Sequence, residues 1–331
     1  MAIAGKRKIY LRADADSKIG YGHFMRTLAL AEVLSTDFDC IFVTQSPSAF
    51  QKECLTDVCK LIELPPDVTR FTLFSEMVEN GDIVVLDNYF YDSEYENLLR
   101  SKGAVVVLID NLHARHSNAD VIIGFSIGLK AESYSIEPYT KLYLGPSYSL
   151  LREPFICQIA KKHPPIKDKK NIKVVISFGG ADRKRIAVSI ADILDNSPNV
   201  SEITVIGNYS RGELSNNSSK IKLKTNLTAN EMRDAFISND VAILPASTTT
   251  LEAIACSIPI IGGYFMDNQI YNYHQYVDSG AIIGCGSFNK RTNLLKVKEI
   301  IENGTFGYSH LSQSIIPVNL KKNLLSIFEA L

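Results

Sequence analysis

The chain has 331 residues, long for one domain and comfortable for two, with 46% hydrophobic and 21% charged residues and no compositional sign of disorder. Its formal net charge of -1 offers no global basic field, which argues against charge-driven binding to nucleic acid or acidic membranes. No run approaches the roughly 18 apolar residues needed to span a bilayer, and the six cysteines lack any CxxC pair.

Short β-branched runs alternate with amphipathic stretches along the chain, the pattern of parallel sheets with crossover helices. A basic start runs straight into an alternating strand, Ile9–Ala13, with no apolar core or cleavage site, so it does not resemble a signal peptide and the expected location is cytoplasmic. Helical spacing of Phe24, Leu28, Ala31 and Leu34 follows. Strands are then expected at Cys40–Thr44, Ile83–Leu86, Val105–Ile109, Val121–Ile123 and Leu142–Leu144. These make an N-terminal Rossmann-like domain over 1–160. The charged segment 161–171, which contains Pro164-Pro165, reads as a linker. The βα rhythm restarts in a second such domain over 172–317. It has strand Lys173–Phe178, helix Arg185–Leu194, strands Glu202–Ile206 and Val241–Leu244, helix Thr248–Cys256, strand Pro259–Gly262 and helix Asn268–Asp278. The tail, 318–331, has an amphipathic helical pattern. The expected class is α/β: two Rossmann-like domains whose parallel sheets face an interdomain cleft.

In open parallel sheets ligands bind beyond the carboxyl ends of strands, so the turns that follow strands are the places to look. The first turn runs from Arg12 through Asp14, Gly20 and Gly22 to His23 and Arg26. Its glycines allow tight turning and close approach of a ligand. A histidine at a helix start is disfavoured as a cation and stays neutral, as a general base must; the alternative is a plain surface loop. Asp14-Ala15-Asp16 fits loop structuring better than metal binding, and no metal or other cofactor is expected. A second turn, through Gly179, Gly180 and Asp182 to Arg185, suits phosphate or sugar hydroxyls but lacks a Walker lysine, which argues against ATP-driven phosphoryl transfer. In a third, Ser247, Thr248, Thr249 and Thr250 cluster at a helix start, with Glu252 one turn further on. They suit a phosphate and a ribose diol, or simply a cap. The amides of Asn268 and Gln269 follow a fourth strand and either reach the same cleft or cap a helix.

Taken together, these segments resemble the UDP-sugar hydrolases of the pseudaminic acid pathway and their spore-coat polysaccharide relatives. The resemblance is carried by RADADSKIGYGHFMRTLALA at 12–31, VVLDNYFYDSEYENLLR at 84–100 and VVLIDNLHARHSNAD at 106–120. It continues in LYLGPSYSLLREPF at 142–155, SFGGAD at 177–182 and PASTTTLEA at 245–253. It implies a GT-B fold and metal-independent, inverting hydrolysis at the anomeric carbon of a UDP-activated amino-deoxy sugar, with release of UDP. By resemblance His23 matches the family's catalytic histidine, Glu252 its ribose-binding glutamate, and Ser247–Thr250 its phosphate-binding turn. Tyr89 would face the sugar, and the C-terminal helix would cross back onto the first domain. The chain departs from the family at Asn88, where a histidine is usual, at Arg185, where an asparagine is usual, and at Leu251, where a tryptophan is common. Arg185 could then supply a cation to the diphosphate. The expected partner is a small nucleotide-sugar, taken by a monomer or weak dimer without nucleic acid or stable membrane association. A glycosyltransferase or a non-catalytic nucleotide-sugar binder on the same fold are the alternatives.

Overall fold

A computed structural model describes residues 6–15, 20–166, 168–179, 182, 184–215, 218–304 and 315–331. The chain divides into two compact units, one running to Glu153 and taking back Asn319–Leu331, the other Pro154–Val318.

In the first unit the strands are β1 (Lys8–Ala13), β2 (Asp39–Gln45), β3 (Lys60–Leu64), β4 (Ile83–Asp87), β5 (Val105–Ile109), β6 (His116–Ser117), β7 (Val121–Gly124), β8 (Ser135–Ile136) and β9 (Lys141–Leu144). Seven of them form one sheet in the order β3-β2-β1-β4-β5-β7-β9, every pairing parallel. β6 and β8 make a short ribbon of their own. Helices α1 (Gly22–Leu34), α2 (Ala49–Leu55), α3 (Thr69–Met77) and α4 (Ser93–Ser101) connect the strands. The central strands are apolar at nearly every position, IVVLD in β4 and VVVLI in β5, because helices cover both faces of such a sheet.

The second unit begins with the short helix α5 (Glu153–Ile156) at its border. Its strands are β10 (Ile172–Ser177), β11 (Val200–Ile206), β12 (Ile221–Lys224), β13 (Val241–Pro245), β14 (Ile260–Tyr264) and β15 (Ile283–Ser287). They pair in the order β12-β11-β10-β13-β14-β15, again all parallel. Helices α6 (Ile186–Asp195), α7 (Ala229–Ser238), α8 (Thr248–Ala255), α9 (Ile270–Asp278) and α10 (Arg291–Asn303) surround this sheet. Its core is aliphatic, with Ile176, Ile190, Val205, Ile243 and Val297 fully buried. Both sheets thus reverse strand order once, between β1 and β4 and between β10 and β13. The crevice beyond the strand ends at such a reversal is where ligands of doubly wound folds sit.

One expectation on domain limits differs from the structure, the place of the linker; the return of the C-terminal helix to the first unit does not. The unit border falls at Glu153, upstream of the charged segment 161–171, because that segment is packed into the second unit. There His163 is buried, with Nε2 3.2 Å from the Phe236 carbonyl oxygen, and the Phe155 and Phe236 rings lie 6.3 Å apart. Lys167 lies outside the described residues. The last helix, α11 (Leu320–Glu329), belongs to the first unit. It buries Leu320, Leu324, Ile327 and Phe328, one stripe at helical spacing, and Phe328 meets Phe38 at 6.4 Å. Lys321 adds an exposed ion pair to Glu153 at 3.2 Å.

Candidate active site

The first crevice is built by α1 and β4. Helix α1 is buried nearly all round, and three of its buried residues are polar: His23, Arg26 and Thr27. At spacings of three and four residues they share one face. That face looks at Asp87, the last residue of β4, which pairs in register with Ala13 at the end of β1. The Asp87 carboxylate collects four donors. His23 Nδ1 lies 2.7 Å from Oδ1, Arg26 Nε donates to Oδ2 at 2.6 Å, Arg26 Nη2 donates to Oδ1, and the Thr27 hydroxyl donates to Oδ2 at 2.9 Å.

A carboxylate at hydrogen-bond distance fixes the imidazole tautomer: Nδ1 carries the proton and Nε2 keeps its lone pair. Among the described residues no hydrogen bond uses Nε2. The Tyr89 ring, half-exposed in the turn after β4, meets the imidazole edge-on at 4.5 Å. Burial would raise the Asp87 carboxyl, but Arg26 and His23 outweigh it and hold it down to about 2. His23 moves below its ordinary 6.5, chiefly through burial, with Arg26 adding to that and Asp87 opposing it. The helix start works in the same direction, because α1 has no side-chain cap and no acidic residue in its first turn to offset its dipole. The result is a neutral, oriented proton acceptor. Gly20 enters this turn with φ +81°, and a Cβ added at Gly22 would meet nothing within 4 Å.

Behind the dyad lies a second buried cluster, and it corrects two expectations. Asp14 was expected to touch substrate. Its carboxylate is instead fully buried and ion-paired to both terminal nitrogens of Arg12, and it accepts from the Gln45 amide at 2.8 Å. Asn88, also expected at the substrate, is turned onto the backbone. Its Oδ1 accepts from the Asp14 amide at 2.7 Å and its Nδ2 donates to the Asp14 carbonyl at 3.3 Å. The two residues strap the ends of β1 and β4 together, which fixes the loops carrying His23 and Tyr89. Asp16 lies outside the described residues.

The second crevice lies beyond β10 and β13. Gly179 ends the β10 turn with φ +67°; Gly180 lies outside the described residues. The Asp182 carboxylate already occupies the start of α6, accepting from the amides of Ile186 at 2.8 Å and Ala187 at 3.0 Å and from the Tyr209 hydroxyl at 2.8 Å. Arg185 is likewise engaged: Nε pairs with Glu213 at 2.6 Å and Nη1 donates to the Asn208 carbonyl at 2.9 Å. Arg185, expected to offer a cation to a diphosphate, thus faces Glu213 and the Asn208 carbonyl in this structure, with its side chain about half exposed.

At α8 the arrangement differs. Thr250 is buried, its hydroxyl donating to the Pro245 carbonyl at 2.7 Å, so it shapes the turn and does not face outward. Ser247, Thr248 and Thr249 are partly exposed at the helix start, and the Thr248 and Thr249 hydroxyls take part in no described hydrogen bond. Glu252 is buried further along α8. Beyond β14, Asn268 is exposed, whereas Gln269 turns its amide oxygen onto the amides of Phe265 at 3.0 Å and Met266 at 3.3 Å. That correction leaves Gln269 bracing a turn.

Asp87, Arg26 and Thr27 are the site residues that motif reading missed. Their signal was a run of polar residues at His23, Arg26 and Thr27 inside an otherwise apolar helix, which demands a buried partner. Among the described residues no group of three or more His, Cys, Asp or Glu side chains could hold a metal ion, and no helix is long and apolar enough to cross a membrane.

No protein-family model matches the chain. An uncharacterized protein of Methanocaldococcus jannaschii is 25% identical over 290 residues, 82% of this chain and 58% of its own length, so the chain spans little more than half of that relative. A Campylobacter jejuni protein named UDP-2,4-diacetamido-2,4,6-trideoxy-beta-L-altropyranose hydrolase is 25% identical over 209 residues, 61% of this chain and 70% of that one. Among solved structures, Staphylococcus aureus MnaA, determined with UDP, superposes with TM-score 0.67 at 10% identity, covering 98% of this chain and 96% of that one. The calicheamicin glycosyltransferase CalG4 gives TM-score 0.65 at 10% identity, covering 99% and 98%. These likenesses show the fold: GT-B, glycosyltransferase-like, with two Rossmann-like domains.

Proposed function

We propose that the chain is an enzyme acting on a UDP-sugar, and that it hydrolyses the bond between the anomeric carbon and the diphosphate. The observation that carries this reading is the His23–Asp87 dyad: a neutral imidazole at the β1–β4 reversal, tautomer fixed, with Nε2 left for a proton. In this reading Nε2 takes a proton from water as the water oxygen bonds to the anomeric carbon. The bond to the diphosphate breaks on the opposite side and UDP leaves with the electron pair. In the second unit, the amides and the Thr248 and Thr249 hydroxyls at the start of α8 are the candidates for a phosphate. Glu252 is the candidate for the ribose. The Campylobacter relative's name supports hydrolysis and a UDP-linked amino-deoxy sugar, and MnaA's bound UDP supports the nucleotide.

Incubation with UDP-, GDP- and CMP-sugars without acceptor, followed by measurement of free nucleotide and by NMR of the product anomer, tests the reading. Multiple-turnover release of UDP and an inverted free sugar is the expected result. Release that appears only when an acceptor is added would make the chain a transferase, the activity named for CalG4. Binding without release would make it a nucleotide-sugar binder.

A further inference from the structure

The surroundings of His23 carry one further step, which rests on the reading of His23 as a proton acceptor. We infer that Arg26 is a positioning residue that sets the base strength of His23: its guanidinium engages the carboxylate that would otherwise stabilise an imidazolium, and so holds His23 neutral.

The geometry is specific. Arg26 Nη2 donates to Asp87 Oδ1, the same oxygen that His23 Nδ1 meets at 2.7 Å, and Nη2 itself lies 3.0 Å from Nδ1. Arg26 Nε takes the other oxygen at 2.6 Å. A histidine–carboxylate pair alone carries one negative charge and is neutralised when it binds a proton. With an always-charged guanidinium locked onto the carboxylate, the same protonation takes a neutral group to a net positive charge in a pocket where Asp87 is fully buried. Simple dyads strengthen a histidine as a base; this triad weakens it.

The other groups around the pocket do not reverse that sign. Asp14, at the end of β1, favours the imidazolium, but its carboxylate is paired to Arg12. Tyr89 in the turn after β4 and Asp110 after β5 act on Arg26 and keep it charged. The uncapped start of α1 opposes a cation. Burial acts on His23 in the same direction as Arg26.

The test is an NMR titration of the His23 ring protons in the whole chain, for the wild type, Arg26→Met and Arg26→Lys. Wild-type His23 should titrate below 6.5, its ordinary value. Arg26→Met should raise the midpoint by about one to three pH units, as loss of a neighbouring charge does. Arg26→Lys, which keeps the charge but not the two-pronged grip on Asp87, should rise by less than Arg26→Met. The inference is overturned if folded Arg26→Met titrates where the wild type does, or if Arg26→Lys rises as far as Arg26→Met. If Arg26→Met does not fold, Arg26→Gln, which keeps hydrogen-bonding capacity without the charge, takes its place: a midpoint raised by about one unit or more supports the inference and an unchanged one overturns it. The titration needs no substrate. A protein that shows the shift but releases nucleotide from no sugar refutes the proposed function and leaves this inference standing.

Discussion

Replacing Asp87 by Asn is the sharpest perturbation of this molecule, because it removes one charge from a site where nothing else can take its place. Asp87 is fully buried and accepts from His23, Thr27 and both sides of the Arg26 fork. The substitution preserves shape and leaves the Arg26 guanidinium buried without a counter-ion. Breaking a buried pair in this way costs about 3–5 kcal/mol. At roughly 2–4 °C per kcal/mol for a unit of this size, the melting temperature should fall by about 6–20 °C. The assay is thermal and urea unfolding of Asp87→Asn, Arg26→Met and the double variant. With both charges gone, the double variant should be no less stable than either single one, giving a coupling of at least about 2 kcal/mol. Additivity within about 0.5 kcal/mol, or a near-wild-type melting temperature for Asp87→Asn, would refute the buried pair.

Other outcomes follow from the same geometry. His23→Ala should cut kcat by about 10²–10⁴ while leaving UDP affinity within a few-fold; equal loss of both in steady-state and calorimetric measurements would make His23 structural. The folded-state carboxyl of Asp87 lies below its ordinary 3.8, near 2, so its contribution is full above the unfolded value and is lost as pH falls from 3.8 towards 2. Acid unfolding should therefore show about 2 kcal/mol of pH-dependent stability in that window, absent from Asp87→Asn. Thr249→Val should weaken UDP binding about tenfold by calorimetry, the worth of one hydrogen bond to a charged group. Asp182→Asn should cost about 1 kcal/mol of stability as a helix cap and leave UDP affinity unchanged; a tenfold affinity change there would place the diphosphate at α6.

The fold was legible where strands are covered on both faces. Val105–Ile109 and Val241–Leu244 are unbroken apolar runs, and only a buried parallel strand needs them. Edge and near-edge strands carried no such signal: KLIEL in β3, IKLK in β12 and IGCGS in β15 are partly exposed and polar or glycine-rich, so neither alternation nor a run marks them. In the site, His23 stood out because glycines and a helix start flank it. Asp87 did not, because only the β1–β4 pairing brings it to α1. Asp14 and Arg185 show one shared difficulty. A charged side chain in a post-strand turn looks the same in sequence whether it faces a ligand or an internal partner, and here Arg12 and Glu213 are those partners.

The three helix starts at the two reversals are answered in three different ways. A helix start exposes unpaired amides and a positive end, and something must answer them. At α6 the chain answers with its own carboxylate, Asp182, which secures the helix and leaves no room for an anion. At α8 it offers hydroxyls, which carry no charge and can share those amides with a phosphate. At α1 the N-cap residue, Tyr21, makes no side-chain cap, and an imidazole sits at the helix start. An acidic residue at that start would draw a proton onto the imidazole. Tyr21→Asp, which places a carboxylate at that start, should therefore raise the His23 midpoint in an NMR titration. An unchanged midpoint in the folded variant would separate the helix start from the imidazole it carries.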